Sequence, residues 1–375
     1  LVIVLSVFNG FDTLVKSLYN TFDPDIQISS VEDKTFAPDP HTTQAILSIP
    51  GVIAVSEVLE DNVLLLYNDR QHIATVKGVD ENFTDVSGLV SMIFDGEMKL
   101  QDHNRPYVVV GQGVAYSLGI GLNFIDPLFI YTIDRTARIN MSQPEESIRR
   151  DFIYPSGIFS IEQDYDSRYI ICPIDFVRDL LLYQNEVTHL EVKLDPGFPG
   201  EEVQQEIQSN MGDGYQVKNR EQQNEMFYRV MRSEKWAIFL ILTFILIIAS
   251  YNIIGSLSML IIDKKKDILT LRNMGAGNRL IKRIFLVEGW LISVLGSITG
   301  LFIGTLISWI QQHFGVIKLT GSGSFIIDAY PVQIEALDIL LIWITVLIIG
   351  LIAARYPVQQ ISKKYLASIE KGSIV

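Results

Sequence analysis

Three stretches of the chain are long and dominantly hydrophobic. Residues 236–262, WAIFLILTFILIIASYNIIGSLSMLII, contain no charged side chain. As a helix rising about 1.5 Å per residue they extend roughly 40 Å, enough to cross a hydrocarbon layer about 30 Å thick with some tilt. A helix apolar on every face over that length has no place on a soluble core. Residues 284–310, IFLVEGWLISVLGSITGLFIGTLISWI, form a second run with one charge, Glu288, a turn inside it. In it Gly296, Gly300 and Gly304 recur every four residues, a row that either permits close helix packing or fills a crowded bundle. The third run is ILLIWITVLIIGLIAA, residues 339–354, extending to 339–356 once Tyr356 joins it. Residues 1–9 open on LVIVLSVF with no basic region before it. That pattern reads as the tail of a further membrane helix, the first of four spans and truncated here; the competing reading is a buried N-terminal strand.

The pattern changes between residues 10 and 235. PDIQISS (24–30), NVLLLY (62–67), HIATVKGV (72–79) and THLEVKL (188–194) read as strands, with NDRQ turning between the second and third. HTTQAILSIPGV (41–52) and EEVQQEIQSNM (201–211) read as helices. PYVVVGQGVAYSLGIG (106–121) and SRYIICPIDFVRDLLLY (167–183) each read as a strand running into a helix. Residues 217–235 are helical by propensity and lead without a breaker into the run at 236, so one connecting helix is expected there. The predicted fold class is a membrane protein: an α-helical transmembrane bundle carrying a large α+β extracytoplasmic domain of two subdomains.

Charge orients this plan. The chain of 375 residues has a mean hydropathy of +0.27. Residues 10–235 hold 18 Lys and Arg against 36 Asp and Glu, whereas the remainder is basic. The densest positive charge, seven Lys and Arg, lies in the short 263–283 segment between two spans. By the positive-inside rule that segment is cytoplasmic, and Arg355, Lys363, Lys364 and Lys371 place the 357–375 tail with it. Residues 10–235 and the short 311–338 loop then lie outside the cytoplasm. Within the basic segment Ile268, Leu271 and Met274 share a helical face, with Lys264, Lys265 and Arg272 around it and Gly275 and Gly277 beyond it. Two readings fit: an anchor among anionic headgroups, or a helix seated in a cytoplasmic partner.

Candidate chemistry is sparse. GQGVAYSLG places Tyr116 at the third glycine of a dinucleotide fingerprint, and GSGS (321–324) lacks the ending of a phosphate loop. The five His residues have no metal-ligand spacing, and Cys172 stands alone, so the expectation is no metal, no catalytic group and no cofactor on this chain. An acidic exterior argues against nucleic acid.

SVFNGFD after the first span, FYRVMRSEKWA (227–237), the 251–296 stretch containing DKKKDILTLRNMGAG, and ARYPVQQISKKYLASIEKG (354–372) resemble the lipoprotein-releasing ABC permeases of the LolC/LolE type, within the wider MacB-like and FtsX-like permease superfamily. VVVGQGVAYSLGIG and DYDSRYIICPIDFVRDLL are similar to that family's periplasmic domain. The resemblance implies a bacterial inner-membrane subunit that extracts lipoproteins for transfer to the outer membrane. ATP and Mg would sit on a separate cytoplasmic ABC ATPase, and a second permease chain, identical or different, would complete the complex. The coupling helix to the ATPase would hold Lys264, Lys265, Asp267, Ile268, Leu271, Arg272 and Met274. Lipoprotein acyl chains would lie near Leu5, Phe8, Phe239, Phe244 and Ile248. A soluble lipoprotein carrier would meet the polar 134–151 stretch at Arg135, Arg138, Met141, Gln143 and Pro144, although that stretch departs from the family's carrier-binding pattern. The alternatives are a MacB-like exporter subunit and an FtsX-like mechanotransmitting regulator of a periplasmic partner.

Overall fold

The computed structural model describes residues 1–103, 105–122, 126–135, 148–318 and 329–361. The chain forms two compact units, Val15–Tyr228 and a second made of Leu1–Leu14 with Arg229–Val375.

Helix α1 (Val2–Phe22) opens the chain, so the helix expected to end near residue 9 continues for further turns. Strand β1 (Ile26–Ser30) and helix α2 (Pro40–Leu47) follow, the helix capped by the Asp39 carboxylate accepting from the His41 N–H. The hairpin β2 (Val52–Tyr67) and β3 (Arg70–Val79) turns through Asn68 at a φ of 51°, within the NDRQ turn. Next come α3 (Phe83–Val86), β4 (Ile93–Gly96), β5 (Gln101–Asp102), β6 (Arg105–Gly111) and α4 (Gln112–Leu118). They are followed by β7 (Leu128–Ile133), β8 (Ile148–Phe159), α5 (Gln163–Asp166), β9 (Tyr169–Pro173) and α6 (Ile174–Leu181). Strand β10 (His189–Leu194), α7 (Gly200–Met211), β11 (Tyr215–Asn219) and α8 (Arg220–Gln223) complete the α+β unit.

Among the described residues eleven strands join one sheet in the order β11-β1-β10-β2-β3-β9-β6-β8-β4, with β5 on β6 and β7 bridging β2 and β8. The length of β2 explains the arrangement. Its first half pairs with β10 (Val58 opposite His189) and its second half with β7 (Leu64 opposite Tyr131), while β3 follows its other edge. The strands β2, β3, β9, β6, β8 and β7 therefore close into a ring, and β10, β1 and β11 extend from it as an open sheet. The sequence led to an expectation of two subdomains; the strands of this unit lie in one sheet. Inside, the GQG motif has a packing reason: a Cβ at Gly111 would collide with the Asp166 carbonyl, and one at Gly113 with Ser167.

One expectation is corrected. Residues 217–235 are not one helix. Tyr215–Asn219 pairs with β1, placing Val217 against Ile28, and burial of Val217 outweighs helical propensity. Asn219 and Gln222 then form a reciprocal capping box for α8, and the long helix α9 (Glu225–Asp263) begins after Asn224.

The other unit is helical. Helices α10 (Lys265–Asn273), α11 (Asn278–Phe314) and α12 (Ala336–Ile361) follow α9. Among the described residues four helices, α1, α9, α11 and α12, are long and apolar enough to cross a membrane. Both α11 and α12 begin earlier and end later than the apolar runs alone mark.

Candidate functional site

The helical unit holds two of the predicted sites. Short α10 ends where Gly275 takes a φ of +93°, a left-handed conformation that suits glycine, and Ala276 N–H donates to the Leu271 carbonyl. Lys264 pairs with Asp267 at 3.0 Å on the exposed side. The predicted apolar face is split. Ile268 packs on the cluster of Ile261, Ile281, Phe285 and Val358, so it anchors α10 to its own bundle. Leu271 and Arg272 are half-buried, Lys265 is half-buried, and Met274 is 72% exposed. Leu271 and Met274 are thus the apolar part of the face left toward solvent.

The five predicted acyl-chain residues do not form one cleft. Leu5 is buried with Val2 and Ile342, and Phe239 packs on that cluster. Phe8 is half-buried, whereas Phe244 and Ile248 are 63% and 53% exposed on α9. None of the five lines the cavity of about 410 Å³ among α1, α9, α11 and α12, whose wall includes Val2, Ser250, Ser293, Gly296 and Gly300. The glycine row divides: Gly304 lies against Val2, and the other two do not pack closely. A Cβ at Gly296 or Gly300 would meet nothing within 4 Å, while one at Gly289 would come to 2.7 Å from the Ala354 Cβ. Close helix approach falls at Gly304 within the row, whose Cβ would come to 3.0 Å from the Val2 Cβ, and at Gly289 and Gly350, the latter lying on Ser293.

Polar side chains join three of these helices. Lys235 lies 2.9 Å from Glu335 and 3.1 Å from Asp338, and Asn9 donates to Asp338 at 2.6 Å. In the predicted carrier-binding stretch Arg135 lies 3.7 Å from the Tyr183 ring centroid and donates to the Leu182 carbonyl. Arg138, Met141, Gln143 and Pro144 lie outside the described residues.

The α+β unit contains an ionic centre absent from the sequence reading. Strand register builds it: Ser56 faces Glu191, Val58 faces both His189 and Val79, and Glu60 faces Lys77, so these alternate residues share one sheet face. Lys77 Nζ lies 2.7 Å from Glu191 Oε1 and 3.6 Å from Glu60 Oε1, with Lys77 and Glu191 2% and 1% exposed. His189 Nε2 is 3.3 Å from the same Glu191 oxygen. The Phe22 and Phe83 rings cover Lys77, their centroids 4.4 and 5.4 Å from Nζ. Burial opposes the charge on Lys77, yet Glu191 and Glu60 hold its pKa above the ordinary lysine value. Burial likewise opposes the Glu191 charge, and Lys77 with His189 more than compensates, so its pKa is lowered. Beside this centre the Tyr165 hydroxyl donates to Asp23 at 2.8 Å, and Asn224 donates to the same carboxylate oxygen at 2.5 Å. Burial raises the Asp23 pKa against those two bonds. The sequence signals were Lys77 close to the end of a strand between Val76 and Gly78, and ionisable residues at 189 and 191, alternating on one strand face.

Comparison with known proteins agrees along the chain. The family described as MacB-like periplasmic core domain matches residues 1–210, and FtsX-like permease C-terminal matches residues 239–366. The lipoprotein-releasing system transmembrane protein LolE of Haemophilus influenzae is 24% identical over 98% of this chain and 90% of its own length. The LolC protein of Neisseria meningitidis serogroup B is 22% identical over 97% of this chain and 88% of its own length. The crystal structure of the periplasmic region of MacB from Actinobacillus actinomycetemcomitans aligns with 58% of this chain and 98% of its own, at a TM-score of 0.39 and 10% identity.

Proposed function

Because this chain belongs to the family with a MacB-like periplasmic core domain, continued here by an FtsX-like permease C-terminal segment, we propose that it is the permease subunit of an ATP-driven complex that extracts lipoproteins from the bacterial inner membrane. One observation carries this reading: the likeness to lipoprotein-releasing permeases extends over 98% of the chain, through both units, rather than over the membrane helices alone. In this reading the α+β unit faces the periplasm, α10 faces the cytoplasm, and a second permease chain completes the assembly.

The energetics require a motor. Pulling an acyl chain from a bilayer costs about 0.8 kcal/mol for each buried CH₂, so tens of methylenes demand a coupled ATPase. Helix α10 suits the coupling role, since Ile268 ties it to the bundle while Met274 stands free for a partner groove. The acyl chains would meet the exposed apolar face of α9 around Phe244 and Ile248.

Depletion of the chain in its native cell tests the reading. Acylated lipoproteins are then quantified in separated inner and outer membranes, and their accumulation in the inner membrane is expected. An unchanged distribution with failed cargo export or cell division would overturn extraction in favour of an exporter or a regulator. Met274→Asp is the matching point variant. At 72% exposure it leaves the bundle core intact, so the chain should accumulate normally yet fail to retain the ATPase during purification.

A further inference from the structure

The α+β unit contains a cavity of about 690 Å³ beside the Lys77 centre. Its wall carries the carboxylates Asp23, Glu60, Asp164, Glu191 and Glu225 against the cations Lys77 and Arg168. The negative surplus is set among aromatic rings. Tyr19 stacks on Phe227 at 4.5 Å, and Tyr165 stacks on Tyr169 at 5.9 Å. Carboxylates together with ring faces form an environment that attracts organic cations.

The internal ammonium shows what such a wall holds. Lys77 Nζ is bonded to Glu191 Oε1 and lies over the Phe22 ring. That contact uses one oxygen of Glu191. The other, Oε2, is buried without a hydrogen-bond partner among the described residues, in a side chain 1% exposed that lines the cavity. Buried carboxylate oxygens in folded proteins ordinarily accept a hydrogen bond.

We propose that this cavity is a binding site for a primary ammonium cation, which donates to Glu191 and sits between the Asp23 and Glu60 carboxylates and the aromatic wall. A compact ammonium with three donors suits acceptors spread over separate strands and a helix end, whereas a planar guanidinium suits a bidentate fork. A quaternary ammonium has no donor for Glu191. The volume is that of a small-molecule site, so the ligand carries a body beyond its charged group. Two sources share this chemistry: a soluble amine, and the amino headgroup of a phospholipid. The site stands independently of lipoprotein extraction.

Titration calorimetry of the full chain in detergent with n-butylammonium tests it. Saturable binding is expected, with none for 1-butanol and about tenfold weaker binding for tetramethylammonium. Glu191→Gln should weaken butylammonium by about tenfold or more. Since that variant also disturbs the buried pair, Glu60→Gln provides a second reading at a side chain 22% exposed, and should weaken binding in the same direction. Absence of saturable heat with the wild-type chain, or wild-type affinity in both variants, would overturn the proposal. Nanodiscs then separate the sources. Weaker apparent butylammonium binding in phosphatidylethanolamine than in phosphatidylcholine identifies the headgroup as occupant, and equal binding identifies a soluble amine; either result upholds the site.

Discussion

Replacing Lys77 with Met removes the cation from the most deeply buried charge cluster of the α+β unit. Glu191, 1% exposed, would lose its 2.7 Å partner, and an uncompensated buried carboxylate costs about 3–5 kcal/mol. Glu191→Met is the milder change, because Lys77 keeps Glu60 at 3.6 Å and the Phe22 ring at 4.4 Å; the loss of one charge-assisted bond is about 1.5–3 kcal/mol. The double variant leaves no charge stranded at the pair and should fall well short of the summed losses, with a coupling energy of roughly 2–3 kcal/mol. Cys172 supplies the assay. It is fully buried and lies opposite Gly78 on the strand beside β3, so a pulse of thiol-alkylating reagent across a urea gradient reports unfolding of this sheet in the full chain. With a urea dependence of about 1–3 kcal/mol per molar, Lys77→Met should lower the midpoint by roughly 1 M or more. A shift under about 0.3 M, or single losses that simply add, would show that the pair is solvated and refute the reasoning.

Cys172 itself should resist maleimide in the folded chain and react fully in denaturant, because burial both hides the thiol and pushes its pKa up. Burial raises the Asp166 pKa to about 6 even though Ser160 and the Ile161 N–H bond its carboxylate. A raised carboxyl pKa means that the folded state holds this proton more tightly than the unfolded state. Its contribution therefore falls as pH rises from about 4 to about 6, and Asp166→Asn should flatten that part of the stability profile in urea titrations run at successive pH values. Gly350→Val should lower the melting temperature of the full chain in detergent, since its Cβ would press on Ser293; overpacking of this kind costs about 1–3 kcal/mol. Gly296→Ala, with open space around its Cβ, should leave the melting temperature unchanged.

Patterns carried by one element were legible in the sequence, and patterns made by several were not. An uncharged run such as 236–262 satisfies a membrane on every face, so it needs no tertiary partner to be recognised. The helix expected over 217–235 failed because the deciding interaction, β11 against β1, joins residues nearly two hundred positions apart. Glu60, Lys77, His189 and Glu191 were unreadable as a cluster for the same reason: register across β3, β2 and β10 gathers them.

The same distinction decides which residues on α10 can inform about a partner. Helical spacing assigns Ile268, Leu271 and Met274 equally to one face, but packing separates them. Ile268 is held by Ile261, Ile281, Phe285 and Val358. A polar residue at 268 would therefore damage the bundle whether or not an ATPase docks, and a loss of activity there would say nothing about coupling. Met274 makes the opposite experiment: with 72% of its surface exposed it has little folding role to lose, so a defect at that position must arise from something outside this chain. Wild-type ATPase retention by Met274→Asp would remove Met274 from the docking face and leave Leu271 as the one predicted apolar contact still open to a partner.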